Sequence, residues 1–421
     1  MDEMHETVVI GAGQAGLATS WHLKQQGLEH VLLERGHVGE AWRSHRWDSF
    51  RLLITNQLCR LPGFAYTGND PDGFMWKDEV VAFFDDYAQS FCPPVREGVA
   101  VDELRRSPDG GGWEILTASG TIRARNVVVA TGAHQKPHIP AMAEAIDPGI
   151  IQLHTDAYRN PAKLPAGGVV VVGGGSSGGQ IAAELAQSGR QVYLALGSCT
   201  WLMRRYRGRD ITGWNDATGF SSQPVQSLQD PAARLACLPM LAATDTGEDL
   251  TPRILRDMGV VVAGRLGGAA GSLLTFSGDL QATIAAGDGF VAFMKARIDQ
   301  YIAANGIDAP ADVAPSPVST LDREPPIREL DLRAAGVTSV VWATGYRNDF
   351  SWIKGSQLDD QGYPLHQGGV TPEKGLYFMG LPWLNTRGSG IIPGVGDDAE
   401  KIVGHIARRT DAAALAGAAT R

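Results

Sequence analysis

Short, unbroken apolar runs recur along this chain, each followed by glycines and then by a longer stretch with helical spacing. Thr7-Val8-Val9-Ile10 reads as a strand buried on both faces, Gly11-Ala-Gly13-Gln-Ala-Gly16 as a turn, and Leu17 to Gln26 as a helix stopped by Gly27. Val31-Leu32-Leu33 is the next strand, ending at Glu34. The same succession returns with a strand at Val169 to Val172, glycines at 173, 175 and 178, a helix from Gln180 to Gln187 and a strand from Gln191 to Leu196. Each of these glycines lies 162 positions after its counterpart. Val127 to Val129 and Val340 to Trp342 form a second repeated pair, and both run into Ala-Thr-Gly, at Ala130-Thr131-Gly132 and Ala343-Thr344-Gly345. The pattern also predicts a helix over Asp78 to Gln89, hairpin strands near Trp113 to Ile122 and a helix from Phe290 to Ala304. Prolines at 137, 140, 161 and 165 mark a connection, placing a domain boundary near residue 163. Strand, turn and helix repeated in this order give an α/β fold with two dinucleotide-binding, Rossmann-like domains.

One GxGxxG is a weak signal, but two of equal internal spacing, each between a strand and a helix, are a strong one. A pyrophosphate must approach the backbone N–H groups that open the helix, and side chains at those glycines would block it. Candidate contacts are therefore Gly11, Gly13, Gln14, Ala15 and Gly16 in the first half, and Gly173, Gly175, Ser176, Ser177, Gly178 and Gln180 in the second, with the two Ala-Thr-Gly ends beside them. Glu34, followed by Arg35, stands 18 residues after Gly16, where a carboxylate would accept hydrogen bonds from a ribose diol. That suits FAD. The equivalent position in the second half is Leu196, and Arg204, Arg205 and Arg207 follow. A missing carboxylate with nearby guanidiniums suits the 2′-phosphate of NADPH; an ion-paired surface with Asp210 is the alternative use of these arginines.

Composition narrows the chemistry. Glycine is about 12% of the 421 residues, against a usual value of about 7%. A net charge of −9 argues against nucleic acid or anionic membrane as a partner. No apolar run approaches the 18 or so residues of a membrane span, and the expected location is the cytoplasm. The four cysteines (59, 92, 199 and 237) are never closer than 33 positions, so there is no CxxC relay, and no metal-ligand spacing is present. Two nucleotide sites without a thiol relay imply hydride transfer from NADPH to FAD, with dioxygen or a small molecule as acceptor.

Taken together, VVIGAGQAGLA, Glu34, Gly39-Glu-Ala-Trp42, the paired Ala-Thr-Gly strands, VVVVGGGSSGGQIAAEL and the closing LYFMGLPWLNTRGSGIIPGVGDDA resemble the class B flavin-dependent monooxygenases, in particular the bacterial branch near the YUCCA-like enzymes. The resemblance covers nearly the whole chain. It implies an FAD domain made of residues 1–163 and 346–421, with an NADPH domain, 164–345, inserted between them. It also implies that dioxygen adds to flavin C4a and that the hydroperoxide transfers one oxygen to nitrogen or sulfur of a small substrate. A Baeyer–Villiger enzyme and an NADPH oxidase or flavin redox sensor are the rival readings, and a monomer and a homodimer both stay open. The family fingerprint FxGxxxHxxxY is met at His154 and Tyr158, but Pro148 and Ile150 replace its Phe and Gly. Thr55-Asn56 resembles the pair whose asparagine faces the flavin, which makes Asn56 the candidate catalytic residue. Trp42 is expected beside the flavin, Arg387 at the cofactor junction, and Gly394 at the start of a helix that closes the flavin site.

Overall fold

The structure is a computed structural model that describes residues 3–244, 247–312, 321 and 325–419. Strand β1 (Glu3–Ile10) leads through the first glycine turn into α1 (Gln14–Gln25) and β2 (His30–Leu33). After α2 (Glu40–Ser44) and α3 (Lys77–Phe91) come β3 (Val95–Arg96), β4 (Val101–Arg106), β5 (Trp113–Thr117) and β6 (Gly120–Val129). They form one sheet in the order β3-β2-β1-β6-β5-β4, with β1 parallel to β2 and β6 and with β4, β5 and β6 antiparallel.

A second sheet follows. It contains β7 (Ile151–His154), β8 (Gly168–Val172), β9 (Val192–Ala195), β10 (Val261–Ala263) and β11 (Val337–Trp342) in the order β7-β11-β8-β9-β10, all parallel. Helix α4 (Ser176–Gln187) joins β8 to β9, and α5 (Ile211–Ala217), α6 (Pro252–Asp257) and α7 (Leu280–Asn305) fill out the segment between β9 and β11. The chain then returns to the first sheet, where β12 (Leu376–Phe378) pairs with β6 and α8 (Val395–Ala419) packs on α1. Both chain ends thus build the first sheet.

The two passages between the sheets run side by side, because Lys136–Pro137 pairs antiparallel with Tyr346–Arg347. Strand β8 shows why its sequence is unbroken and apolar: Val169 and Val171 enter one core with Ile181 and Leu185, while Val170 and Val172 enter another with Val340 and Trp342. Residues alternate between faces, and both faces are covered.

Several boundaries differ from the sequence reading. Residues 151–154, expected in the first domain, hydrogen-bond to β11 and belong to the second sheet, so the chain enters the second domain before 163. Helices α1 and α4 begin at Gln14 and Ser176, ahead of their apolar spacing, because the glycine turn sets their start. Helix α7 begins ten residues before Phe290, at Leu280, through a stretch weakened by Gly287 and Gly289. Gly287 is required there, since a Cβ would meet the Trp201 ring at 2.3 Å.

A Cβ on Gly16 would lie 1.9 Å from the Gly11 carbonyl oxygen, which is backbone that cannot swing aside, whereas a Cβ on Gly13 meets nothing within 4 Å. Gly16→Ala should therefore lower stability by at least about 1–3 kcal/mol. Gly13→Ala should stay within about 0.5 kcal/mol of the parent. Denaturant midpoints of the two variants check this, and equal losses would contradict it.

Candidate active site

The first glycine turn closes against β6. Gly11 has φ +104°, and a Cβ there would sit 2.7 Å from the Ala130 carbonyl oxygen. Gly13 caps α1 with no side-chain bond, and the first turn carries no acid, so the N–H groups of the opening turn keep their partial positive charge. Glu34 is buried beside the turn; its Oε2 accepts from the Ala12 N–H at 2.7 Å and its Oε1 from the Gly36 N–H at 3.0 Å. Arg35 is exposed. Gln14 ties three elements together: its Oε1 accepts from Trp42 Nε1 at 3.3 Å and its Nε2 donates to the Gly390 carbonyl at 3.2 Å. Trp42 stacks on Phe84 with ring centres 6.0 Å apart, and the Arg46 guanidinium lies 5.0 Å over its ring. Ala130 is buried, and Thr131 is exposed and accepts from Gln135 Nε2 at 3.0 Å.

Gly394 ends the short helix that precedes α8, and a Cβ on it would lie 2.1 Å from the Gly388 carbonyl oxygen. Unlike α1, α8 opens with Asp397 and Asp398. Asp398 is buried, accepts from Asn385 Nδ2 at 2.7 Å, and burial pushes its carboxyl up from the ordinary range. Arg387 donates to Gln223 Oε1 at 3.0 Å and lies between Phe220 and Trp383, 4.2 and 4.6 Å from their ring centres. It binds the C-terminal loop to the inserted region through Nε.

The second turn repeats the first. Gly173 has φ +116°, and a Cβ would stand 2.3 Å from the Ala343 carbonyl oxygen; one on Gly178 would stand 1.9 Å from that of Gly173. Gly175 caps α4, again with no side-chain bond and no acid in the first turn. Here, however, the approach is covered. A Cβ on Gly175 would be 2.8 Å from Cys237 Sγ. Ser176 Oγ donates to the Pro239 carbonyl at 3.1 Å and accepts from the Leu241 N–H at 3.2 Å, and Gln180 Nε2 donates to the Leu241 carbonyl at 3.4 Å. Ser177 is exposed. The sequence carried no sign of this covering segment, which comes from a stretch without motifs.

Arg204 is a correction. It is fully buried, with Nε 2.6 Å from Asp210 Oδ2, Nη2 2.5 Å from Oδ1, and Nη1 3.0 Å from each of the Leu53 and Ala242 carbonyls. A guanidinium so engaged cannot receive a 2′-phosphate, and the ion-pair alternative describes it. Arg207 pairs with Asp299 at 3.0 Å. Arg205 is exposed and lines a cavity of about 480 Å³ that it shares with Asn56, Tyr66, Asp70, Phe74 and Trp76.

Asn56 is buried, and its amide spans the loop around that cavity: Nδ2 donates to the Asp70 carbonyl at 2.8 Å and Oδ1 accepts from the Met75 N–H at 2.9 Å. One amide N–H is left beyond these bonds. His154 is likewise taken up by backbone. Its Nδ1 accepts from the Asp156 N–H at 3.1 Å, so its Nε2 carries the proton and donates to the Gly345 carbonyl at 2.9 Å. It braces the second Ala-Thr-Gly end; beside it Thr344 Oγ1 donates to the His138 carbonyl, and Tyr346 donates to Asp156 Oδ1 at 2.8 Å.

Two outcomes follow for these side chains. Arg204→Ala leaves Asp210 buried and unpaired, a change that typically costs about 3–5 kcal/mol; the thermal midpoint should fall sharply, while a coenzyme preference that moved at unchanged stability would contradict the structural role. Burial lowers the pKa of His154 from its ordinary value. A histidine whose folded value is depressed contributes stability above its unfolded pKa, near 6.5, and loses it as pH falls toward the folded value. Urea midpoints at pH 7.5 and 5 should show that acid loss, and His154→Gln should shrink it.

Residues 8–211 match a family model described as pyridine nucleotide-disulphide oxidoreductase. The uncharacterized oxidoreductase CzcO-like of Geobacillus kaustophilus is 32% identical over 409 residues, covering 96% of this chain and 99% of its own length. Indole-3-pyruvate monooxygenase YUCCA6 of Arabidopsis thaliana is 29% identical over 206 residues, 47% of this chain and 49% of that one. Among solved structures, a flavin-containing monooxygenase from Stenotrophomonas maltophilia superposes with a TM-score of 0.67 at 20% identity, covering 97% of this chain and all of the other. At that identity it carries the fold, the α/β architecture with two Rossmann-like domains. Among the described residues, no helix is long and apolar enough to cross a membrane, and no three metal-ligating side chains are grouped.

Proposed function

The chain belongs to the CzcO-like oxidoreductases, a family of class B flavin monooxygenase-like proteins, and we propose that it is an NADPH-dependent FAD monooxygenase acting on nitrogen or sulfur of a small molecule. The observation that carries this reading is the duplicated cradle: two helices capped by glycine, each at the carboxyl end of a parallel strand, each with no side chain bonded to its cap.

FAD fits the first cradle. Gly13 leaves room for the pyrophosphate, the opening turn of α1 would bind it, and the Glu34 carboxylate is already oriented as an acceptor for the ribose diol. When bound, FAD supplies hydride acceptance and, once reduced, reaction with dioxygen. Gln14 and Trp42 would hold the wall beside it. NADPH is assigned to the α4 cradle, where Leu196, buried at the end of the strand, offers a ribose diol no acceptor. With Arg204 committed to Asp210, the preference for NADPH rests on Leu196. Asn56 is a positioning residue on this reading: it shapes the cavity rim and keeps one N–H for what enters there. The departures from FxGxxxHxxxY, together with a His154 satisfied by backbone, give the Baeyer–Villiger rival no support.

The test is a two-step kinetic measurement on enzyme reconstituted with FAD. Under anaerobic conditions, flavin reduction should half-saturate at lower NADPH than NADH. On mixing with oxygenated buffer and a panel of amines, thiols and thioethers, at least one compound should gain one oxygen per NADPH consumed, with peroxide release below one equivalent. One equivalent of peroxide with every compound, and no oxygenated product, would replace the monooxygenase reading with that of an oxidase.

A further inference from the structure

Two thiols stand at the second glycine turn, and no step of the proposed function uses them. Cys199 follows β9 and Cys237 begins the segment that covers α4; they are 38 positions apart in sequence. Backbone bonds bring them to one place. Met240 N donates to the Thr200 carbonyl at 2.7 Å and Leu202 N to the Met240 carbonyl at 3.1 Å, which joins the covering segment to the chain leaving β9. The sulfurs then face consecutive residues of one turn. A Cβ on Gly174 would lie 2.4 Å from Cys199 Sγ, and one on Gly175 would lie 2.8 Å from Cys237 Sγ. Cys199 is buried and Cys237 is exposed, so an oxidant reaches Cys237 first. The other two cysteines are Cys59, buried near the cavity loop, and Cys92, exposed at the end of α3.

We propose that Cys199 and Cys237 form a reversible disulfide that fixes residues 237–241 over the α4 N-terminus and closes the second nucleotide site. This rests on the reading of that cradle as the nicotinamide nucleotide site. The oxidant is hydrogen peroxide, which reduced flavin yields when dioxygen reoxidises it without oxygen transfer. The Cys237 thiolate attacks one peroxide oxygen; an S–O bond forms, the O–O bond breaks, and the departing hydroxide takes up a proton to leave as water. The Cys199 thiolate then attacks the sulfenic sulfur; the S–S bond forms, the S–O bond breaks, and a second water leaves. Two thiols and one peroxide give one disulfide and two waters, with two electrons passing from sulfur to oxygen. A small dithiol reverses the reaction. The device stops coenzyme consumption when peroxide accumulates, which is when reduction of flavin is no longer coupled to product.

Although the Cys237 residue is exposed, its sulfur is turned against the Gly175 backbone, and the loss of solvent raises both thiols, Cys199 to about 12, so little thiolate is present at neutral pH and the reaction should quicken roughly tenfold per pH unit.

The experiment treats FAD-loaded enzyme with hydrogen peroxide, alkylates the remaining thiols and maps the peptides by mass. A peptide pair linked through Cys199 and Cys237 is expected, lost on dithiothreitol treatment and never formed in Cys237→Ser. In parallel, the NADPH concentration that half-saturates anaerobic flavin reduction should rise at least tenfold in oxidised wild type, return with dithiothreitol, and stay unchanged in peroxide-treated Cys237→Ser. Absence of the linked peptides at a peroxide dose that oxidises Cys92 overturns the proposal, as does a linked enzyme that NADPH reduces as readily as the thiol form. Failure of the nucleotide reading looks different: thiol-form enzyme whose flavin NADPH does not reduce overturns the closure while the mass readout stands on its own.

Discussion

In each half a glycine turn is pressed against the backbone at the end of the neighbouring parallel strand. Gly11 lies against the Ala130 carbonyl and Gly173 against that of Ala343, at separations no side chain would permit. That approach turns the chain sharply enough for α1 and α4 to begin directly over the strand ends with bare N-termini. Four unpaired N–H groups at a helix start require a partner. Neither helix supplies one from a capping side chain, which leaves those donors for an anion.

The halves are joined by the two passages between the sheets and by side chains that cross from one to the other, Arg204 to the Leu53 carbonyl and Arg387 to Gln223 among them. The ribbon of Lys136–Pro137 with Tyr346–Arg347 makes the two passages one unit. His154 fastens the end of β7 to the Gly345 carbonyl, and Tyr346 reaches Asp156 just beyond it. The bonds of His154 and Tyr346 hold the ends of β7 and β11 together where the two passages leave the second sheet.

Much of this was legible in the chain because glycine spacing and continuous apolar runs are local signals with one physical cause. Both turns, the strands that feed them and the paired Ala-Thr-Gly ends appear where the residues place them. Strand β7 was hidden because Ile151-Gln152-Leu153-His154 is short and only partly buried, with no apolar run to announce it. Arg204 was misplaced because three arginines beside a missing carboxylate have the same composition whether they face solvent or an aspartate; only the burial of Asp210 decides. The Cys199–Cys237 approach is set by the path of residues 200–240 and has no sequence signature at all.

The two cradles, alike in their backbone, differ in what lies over them. Gly13 opens on free space, while Gly175 faces Cys237 and the first turn of α4 is bonded to Pro239 and Leu241 through Ser176 and Gln180. A cofactor that stays bound gains from an open, preformed cradle, since none of its binding energy goes into displacing protein. A coenzyme that exchanges on every turnover must leave as well as enter. Cover that must move aside before the nucleotide enters lowers its apparent affinity by the fraction of time the site is exposed. The difference in cover therefore matches a resident flavin in the first half and an exchanging nucleotide in the second.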